Sequence, residues 1–148
     1  MLAAVIAAGM VSPAFAATRY YHATLDAKSE VPPTTSTGTG TFAASLDTKT
    51  MVLSYTLTFD GLTGPATAAH IHGPAAKGAN APVITPLATG APTSPDTGTA
   101  TLTADQIKDL SAGKYYVNVH TAANKGGEIR GQILHGKLPK AKTPKTTS

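Results

Sequence analysis

Residues 51–59, Met51-Val52-Leu53-Ser54-Tyr55-Thr56-Leu57-Thr58-Phe59, alternate apolar and mostly hydroxyl side chains without a break. A period of two puts Leu53, Tyr55, Leu57 and Phe59 on one face of a strand and Val52, Ser54, Thr56 and Thr58 on the other. A helix would scatter the same residues around its circumference, so this segment admits only a strand with one buried face.

The pattern recurs in short runs between Pro/Gly clusters. Tyr21, Ala23 and Leu25 alternate with Tyr20, His22 and Thr24, and Gly40, Phe42, Ala44 and Leu46 share a face. Asp47-Thr48-Lys49-Thr50 reads as the turn of a hairpin. Further strands are expected at 67–72, 83–87 and 97–102, with Pro/Gly-rich loops over 73–82 and 88–96. One helix interrupts. Thr103 is its cap, Gln106 stands three residues on, Gly113 ends it, and Ile107 and Leu110 face the core. A last hairpin pairs 114–121 with 128–134. The expected fold is all-β, an antiparallel sandwich of about seven or eight strands with one short helix.

The chain has 148 residues and no cysteine. Residues 1–16 read as a signal peptide: Leu2 to Val11 is apolar, and Ala14-Phe15-Ala16 is a small-x-small cleavage site. No Lys or Arg precedes the apolar run, so either the amino terminus supplies the positive charge or the start lies upstream. The expectation is a secreted or periplasmic protein whose single domain, 17–136, folds without disulfides. The net charge of +4 comes from the tail. Residues 137–148 carry four Lys, two Pro and no acid, whereas the body is neutral. The tail is expected to be disordered and suited to touch an anionic envelope surface. A body without basic excess excludes nucleic acid as a partner.

Chemistry concentrates in two segments. His70-Ile71-His72 places two imidazoles on one face of a strand about 7 Å apart. Tyr116-Val117-Asn118-Val119-His120-Thr121 carries a third. A register that stacks the apolar faces of the last hairpin pairs Val119 with Ile129 and Val117 with Gly131. It then sets Asn118 opposite Arg130 and His120 opposite Glu128. Without thiolates, a metal site must use His, Asp, Glu or backbone oxygen, and copper outcompetes zinc at equal nitrogen ligands. The candidate metal set is His70, His72, His120 and Glu128, holding copper or zinc, with Arg130 in support. The same residues equally suit a structural network, with the histidines hydrogen-bonded to Glu128, Asn118 and backbone carbonyls. Glu30, before Val31-Pro32-Pro33, reads as a loop anchor, and His22 and His135 as solvent-facing.

Glu30-Val31-Pro32-Pro33, Ala69-His70-Ile71-His72-Gly73, Tyr116 to Thr121 and Gly127-Glu128-Ile129-Arg130-Gly131-Gln132, in that order, resemble the CHRD domain. The resemblance covers about residues 20–135. It implies an extracellular or periplasmic β-sandwich, immunoglobulin-like in general shape, and no defined activity. The His-x-His strand is also similar to the copper site of Cu,Zn superoxide dismutases. Their disulfide cysteines, bridging histidine and zinc loop have no counterpart here, so dismutase activity is not implied.

No Gly-x-Ser-x-Gly, His-Glu-x-x-His, cysteine nucleophile or glycosidase-like acid pair is present, and the chain reads as non-catalytic. Two readings lead: a metal-binding module, and an adhesion or matrix module with structural histidines that recognises a protein or polysaccharide partner. A copper-dependent redox enzyme has the least residue support.

Overall fold

The computed structural model describes residues 17–139. The signal-peptide expectation for 1–16, and the disorder expected of the 137–148 tail from residue 140 onward, lie outside the described residues.

Alternation produces strands where it was read. β1 (Thr18–Asp26), β2 (Thr39–Asp47) and β3 (Val52–Asp60) form an antiparallel meander, with Tyr21 opposite Ala44 and Ala44 opposite Tyr55. The turn between β2 and β3 is closed by the Asp47 carboxylate, which accepts from the Lys49 and Thr50 amides at 2.8 and 3.0 Å. β4 (Ala66–His72), β5 (Val83–Pro86) and β6 (Asp96–Thr101) follow, then helix α1 (Ala104–Ser111), then β7 (Tyr116–Thr121), β8 (Ile129–Gln132) and β9 (Leu134–His135).

All pairings are antiparallel, and the strand order is one continuous path, β5-β4-β7-β8-β1-β2-β3-β6. Two four-stranded ladders meet where β8 and β1 share the single pair Asp26 and Arg130. The far edges approach each other too. Leu87, just past β5, donates to the Ala69 carbonyl and accepts from the Tyr55 hydroxyl on β3. The result is an all-β, nearly closed, barrel-like sheet with one short helix. It has nine strands rather than seven or eight, because the last expected strand divides. At Ile133 the backbone N–H turns to the Tyr115 carbonyl, so β8 stays with β7 while β9 crosses to β1 at Tyr21 and His22.

The core is what the period of two placed inside: Tyr21, Leu25, Phe42, Leu46, Leu53, Leu57, Ile71, Val117, Val119 and Ile129 are all buried. Helix α1 caps one end, with Leu110 buried and Ser111 Oγ 2.9 Å from the Tyr21 hydroxyl. Its start is a complete capping box. Thr103 accepts from the Gln106 amide at 3.2 Å, and the Gln106 side chain accepts from the Thr103 amide at 2.8 Å. Gly113 beyond its end takes φ +70. Thr103→Ala is expected to cost about 1 kcal/mol, a fall in Tm of about 4 °C by thermal unfolding. An unchanged Tm would show that the box contributes nothing.

β7 and its neighbour β8 differ from the other strands because both their faces are covered. Val117 and Val119 point into the core, while Tyr116 and Asn118 on the other face are also buried. The 73–82 loop folds over that second face. Arg130 holds it, donating to Ala79 O at 2.6 Å and to Asn80 Oδ1 at 3.0 Å. Gln132 donates to Ala75 O at 3.0 Å. Asn80 in turn donates to Val31 O at 3.1 Å, tying this loop to the Glu30-Val31-Pro32-Pro33 segment.

Candidate metal centre

The three histidines of the two motif strands meet on that second face. β4 and β7 are hydrogen-bonded neighbours, with His70 opposite Asn118 and Ala68 opposite His120. His120 therefore lies on the diagonal from His70, within side-chain reach. The ring centroids of His70 and His72 are 5.6 Å apart, and those of His70 and His120 are 4.9 Å apart. One nitrogen from each ring falls within 4.8 Å of the others.

Hydrogen bonds on the far side of the rings fix which nitrogens these are. His72 Nδ1 donates to Ala81 O at 2.9 Å, and His120 Nδ1 donates to Lys125 O at 2.9 Å. A ring whose Nδ1–H is engaged presents Nε2 as a bare lone pair. His72 Nε2 is buried with no hydrogen-bond partner. His120 Nε2 lies 3.0 Å from His70 Nδ1, whose proton it accepts. Two nitrogens at 3.0 Å that both bound one ion at about 2.0 Å would subtend about 95° at it. Once the His70 proton moves to its other nitrogen, a cation can take that proton's place.

Charge favours the same assignment. Burial lowers the pKa of His70 below the ordinary histidine value, helped by His120 and His72. Burial likewise lowers His120, against the opposing Lys125 carbonyl and with a smaller contribution from His72. Both rings are neutral at pH 7, the state a metal needs.

Tyr116 and Ala81, which the sequence motifs do not single out, hold His72 in place. Tyr116 stacks on His72 with centroids 4.9 Å apart and planes 4° from parallel, and its hydroxyl accepts from the Ala81 amide at 3.2 Å. The Ala81 residue thus fixes both rings. From β8, the Arg130 guanidinium lies 3.4 Å from the Tyr116 ring centre. Tyr116 could have been found, since it shares the alternating face of Asn118 and His120. The carbonyls of Ala81 and Lys125 leave no trace in residue type.

The fourth expected ligand is elsewhere. The hairpin register is as read, with Val117 opposite Gly131, Asn118 opposite Arg130 and Val119 opposite Ile129. The ladder then breaks. The Glu128 amide donates to Val119 O at 2.7 Å, and Gly127 takes φ +129, which swings the carboxylate to the Thr121 side of the strand. There it accepts from Ser36 Oγ at 2.6 Å, the Thr63 amide and hydroxyl at 2.7 Å each, Asn124 Nδ2 at 3.0 Å and the Thr121 hydroxyl. Burial raises its pKa, but the bonds from Ser36, Thr121 and Thr63 outweigh this and hold the carboxyl at about 2. Glu128 is not brought together with the histidines.

Glu30 is buried at 4 % exposure rather than a simple loop anchor. Burial pushes its carboxyl up, against the Val31 amide, the Arg130 charge and Asn118. A Cβ on Gly127 would collide with this carboxylate, so the glycine is needed for close approach as well as for its positive φ. His22 and His135 stand apart from the cluster. His22 Nδ1 lies 3.1 Å from Gly136 O, and His135 is exposed with its edge against Tyr21.

Comparison with curated proteins and with solved structures returns no match. The family described as CHRD domain matches residues 21–133, which contain the three histidines, β2 to β8 and all of β1 but its first three residues. On that match the chain belongs to the CHRD domain family.

Proposed function

We propose that this protein is an exported metal-binding module whose site is the triad His70, His72 and His120. One observation carries the reading: three imidazole nitrogens converge within 4.8 Å, and two of the rings are locked at Nδ1 by backbone carbonyls, which leaves Nε2 to bind. A purely structural network has no use for the buried, unpartnered Nε2 of His72. Copper is favoured over zinc by the affinity order for nitrogen donors. Export follows from the apolar leader, and the Lys-rich tail supplies contact with an anionic surface. The two ladders enclosing one core are the features that support an immunoglobulin-like sandwich. Nothing in the site positions a nucleophile or an acid/base pair, so binding rather than turnover is the function assigned.

The test is metal content of untagged protein loaded with copper or zinc and then desalted. About one equivalent per chain is expected to remain. Complete loss on desalting would sink the reading and return the histidines to a structural role in an adhesion module.

A further inference from the structure

We infer that the centre is built for cuprous copper, Cu(I), and discriminates against Cu(II) and Zn(II). This rests on the metal-binding reading and specifies which ion and oxidation state the site accepts.

Charge and donor number set the preference. Every donor of the triad is neutral, and among the described residues no carboxylate joins the three nitrogens. The two buried acids of the described residues are committed elsewhere. Glu128 is turned to the opposite side and held there by Ser36, Thr63, Thr121 and Asn124. Glu30 faces Arg130 and Asn118. The buried charge next to the histidine face is a cation, Arg130, with Glu30 on its far side rather than at the three nitrogens. Arg130, 2 % exposed, sits across β7 from the histidine strand, and its other partners, Asn80 and the Ala79 carbonyl, are neutral. A dication placed here adds two charges beside a buried guanidinium with no counter-charge in its coordination shell. Cu(I) adds one. In a half-buried site that difference in uncompensated charge is costly, because water screens it poorly.

Coordination number points the same way. Zn(II) completes a tetrahedron and Cu(II) prefers four or more donors, so both must recruit a further ligand at this site. Cu(I), a closed-shell monocation, is content with two or three imidazoles. The protein provides three, and holds two of them in fixed tautomers before any ion arrives.

Ala68 offers a way to reverse the preference. It shares the histidine face, two residues before His70 and directly opposite His120, and it is only partly buried. Ala68→Asp therefore adds the missing anionic donor at a position that tolerates a polar side chain.

The experiment titrates the untagged protein anaerobically with Cu(I), and separately with Cu(II) and Zn(II), against chromophoric chelators of known affinity. Wild type is expected to bind Cu(I) at least a hundredfold more tightly than Cu(II), which raises the copper potential by about 120 mV over that of the hydrated ion. A tenfold excess of Zn(II) is expected to leave Cu(I) in place. Ala68→Asp, checked for folding by its melting curve, is expected to narrow the Cu(I)/Cu(II) preference at least tenfold. Equal or tighter Cu(II) binding, or displacement of Cu(I) by Zn(II), overturns the inference and leaves the metal-binding reading intact. Failure to bind any of the three ions overturns both.

Discussion

Glu128→Ala is expected to destabilise the domain by about 3 kcal/mol, a fall in Tm of about 12 °C. The carboxylate is fully buried and satisfies donors from three separate segments: Ser36 from the loop after Glu30, Thr63 from the loop after β3, and Thr121 and Asn124 at the end of β7. Removing it leaves those donors without their common acceptor around a buried position. Glu128→Gln keeps the shape and loses the charge, so a smaller loss is expected. The two variants also separate by pH. The folded carboxyl is held down to about 2, below the ordinary glutamate value of 4.5. A depressed folded pKa contributes stability that is whole above pH 4.5 and is lost as the pH falls toward 2. Urea unfolding of wild type should therefore weaken across that window, and Glu128→Gln should lack that part of the acid dependence. Identical acid profiles would show that Glu128 carries no such charge-assisted network.

The same residue shows where sequence reading stops. The strands, their inward faces, the capping box and the hairpin register follow from local alternation and turn chemistry, because each depends on residues close in the chain or on matching apolar faces. His70 and His72 share a face for the same reason. Glu128 was expected to share a face with His120 by extending the register one step beyond Val119 and Ile129. The break at Gly127 cancels that step, and the donors that capture the carboxylate lie at Ser36 and Thr63, far away in the chain. No periodicity connects them. That β4 neighbours β7, and so brings His120 to His70, is likewise a fact of strand order. The burial of Asn118 and Arg130 depends on a loop, 73–82, whose Gly, Pro and Ala content announces a loop and says nothing of where it folds. Division of the last strand at Ile133 has the same origin, since its partner β1 is the first strand of the domain.

The histidines themselves should behave in the opposite way to Glu128. His70→Ala and His120→Ala are each expected to lower metal affinity by at least a hundredfold while moving the apo Tm by only a few degrees. Each ring is partly exposed, and each removal deletes a group whose pKa burial has already depressed, so the apo fold loses little. The metal loses a third of its donors. Tyr116→Leu tests the support beneath the site. It keeps apolar volume under His72 but removes the parallel ring and the hydroxyl bonded to the Ala81 amide. Residues that orient ligands without binding the metal carry about 10–100-fold in affinity, so an intermediate loss is expected. The graded order, ligand above support, is the signature of a metal centre. If the histidines instead form a structural network, the order inverts: His120→Ala breaks the bonds to Lys125 and His70, lowers the apo Tm by as much as Glu128→Ala does, and leaves the weak residual metal uptake unchanged. Calorimetric melting of the apo variants, set beside their chelator titrations, separates these two outcomes.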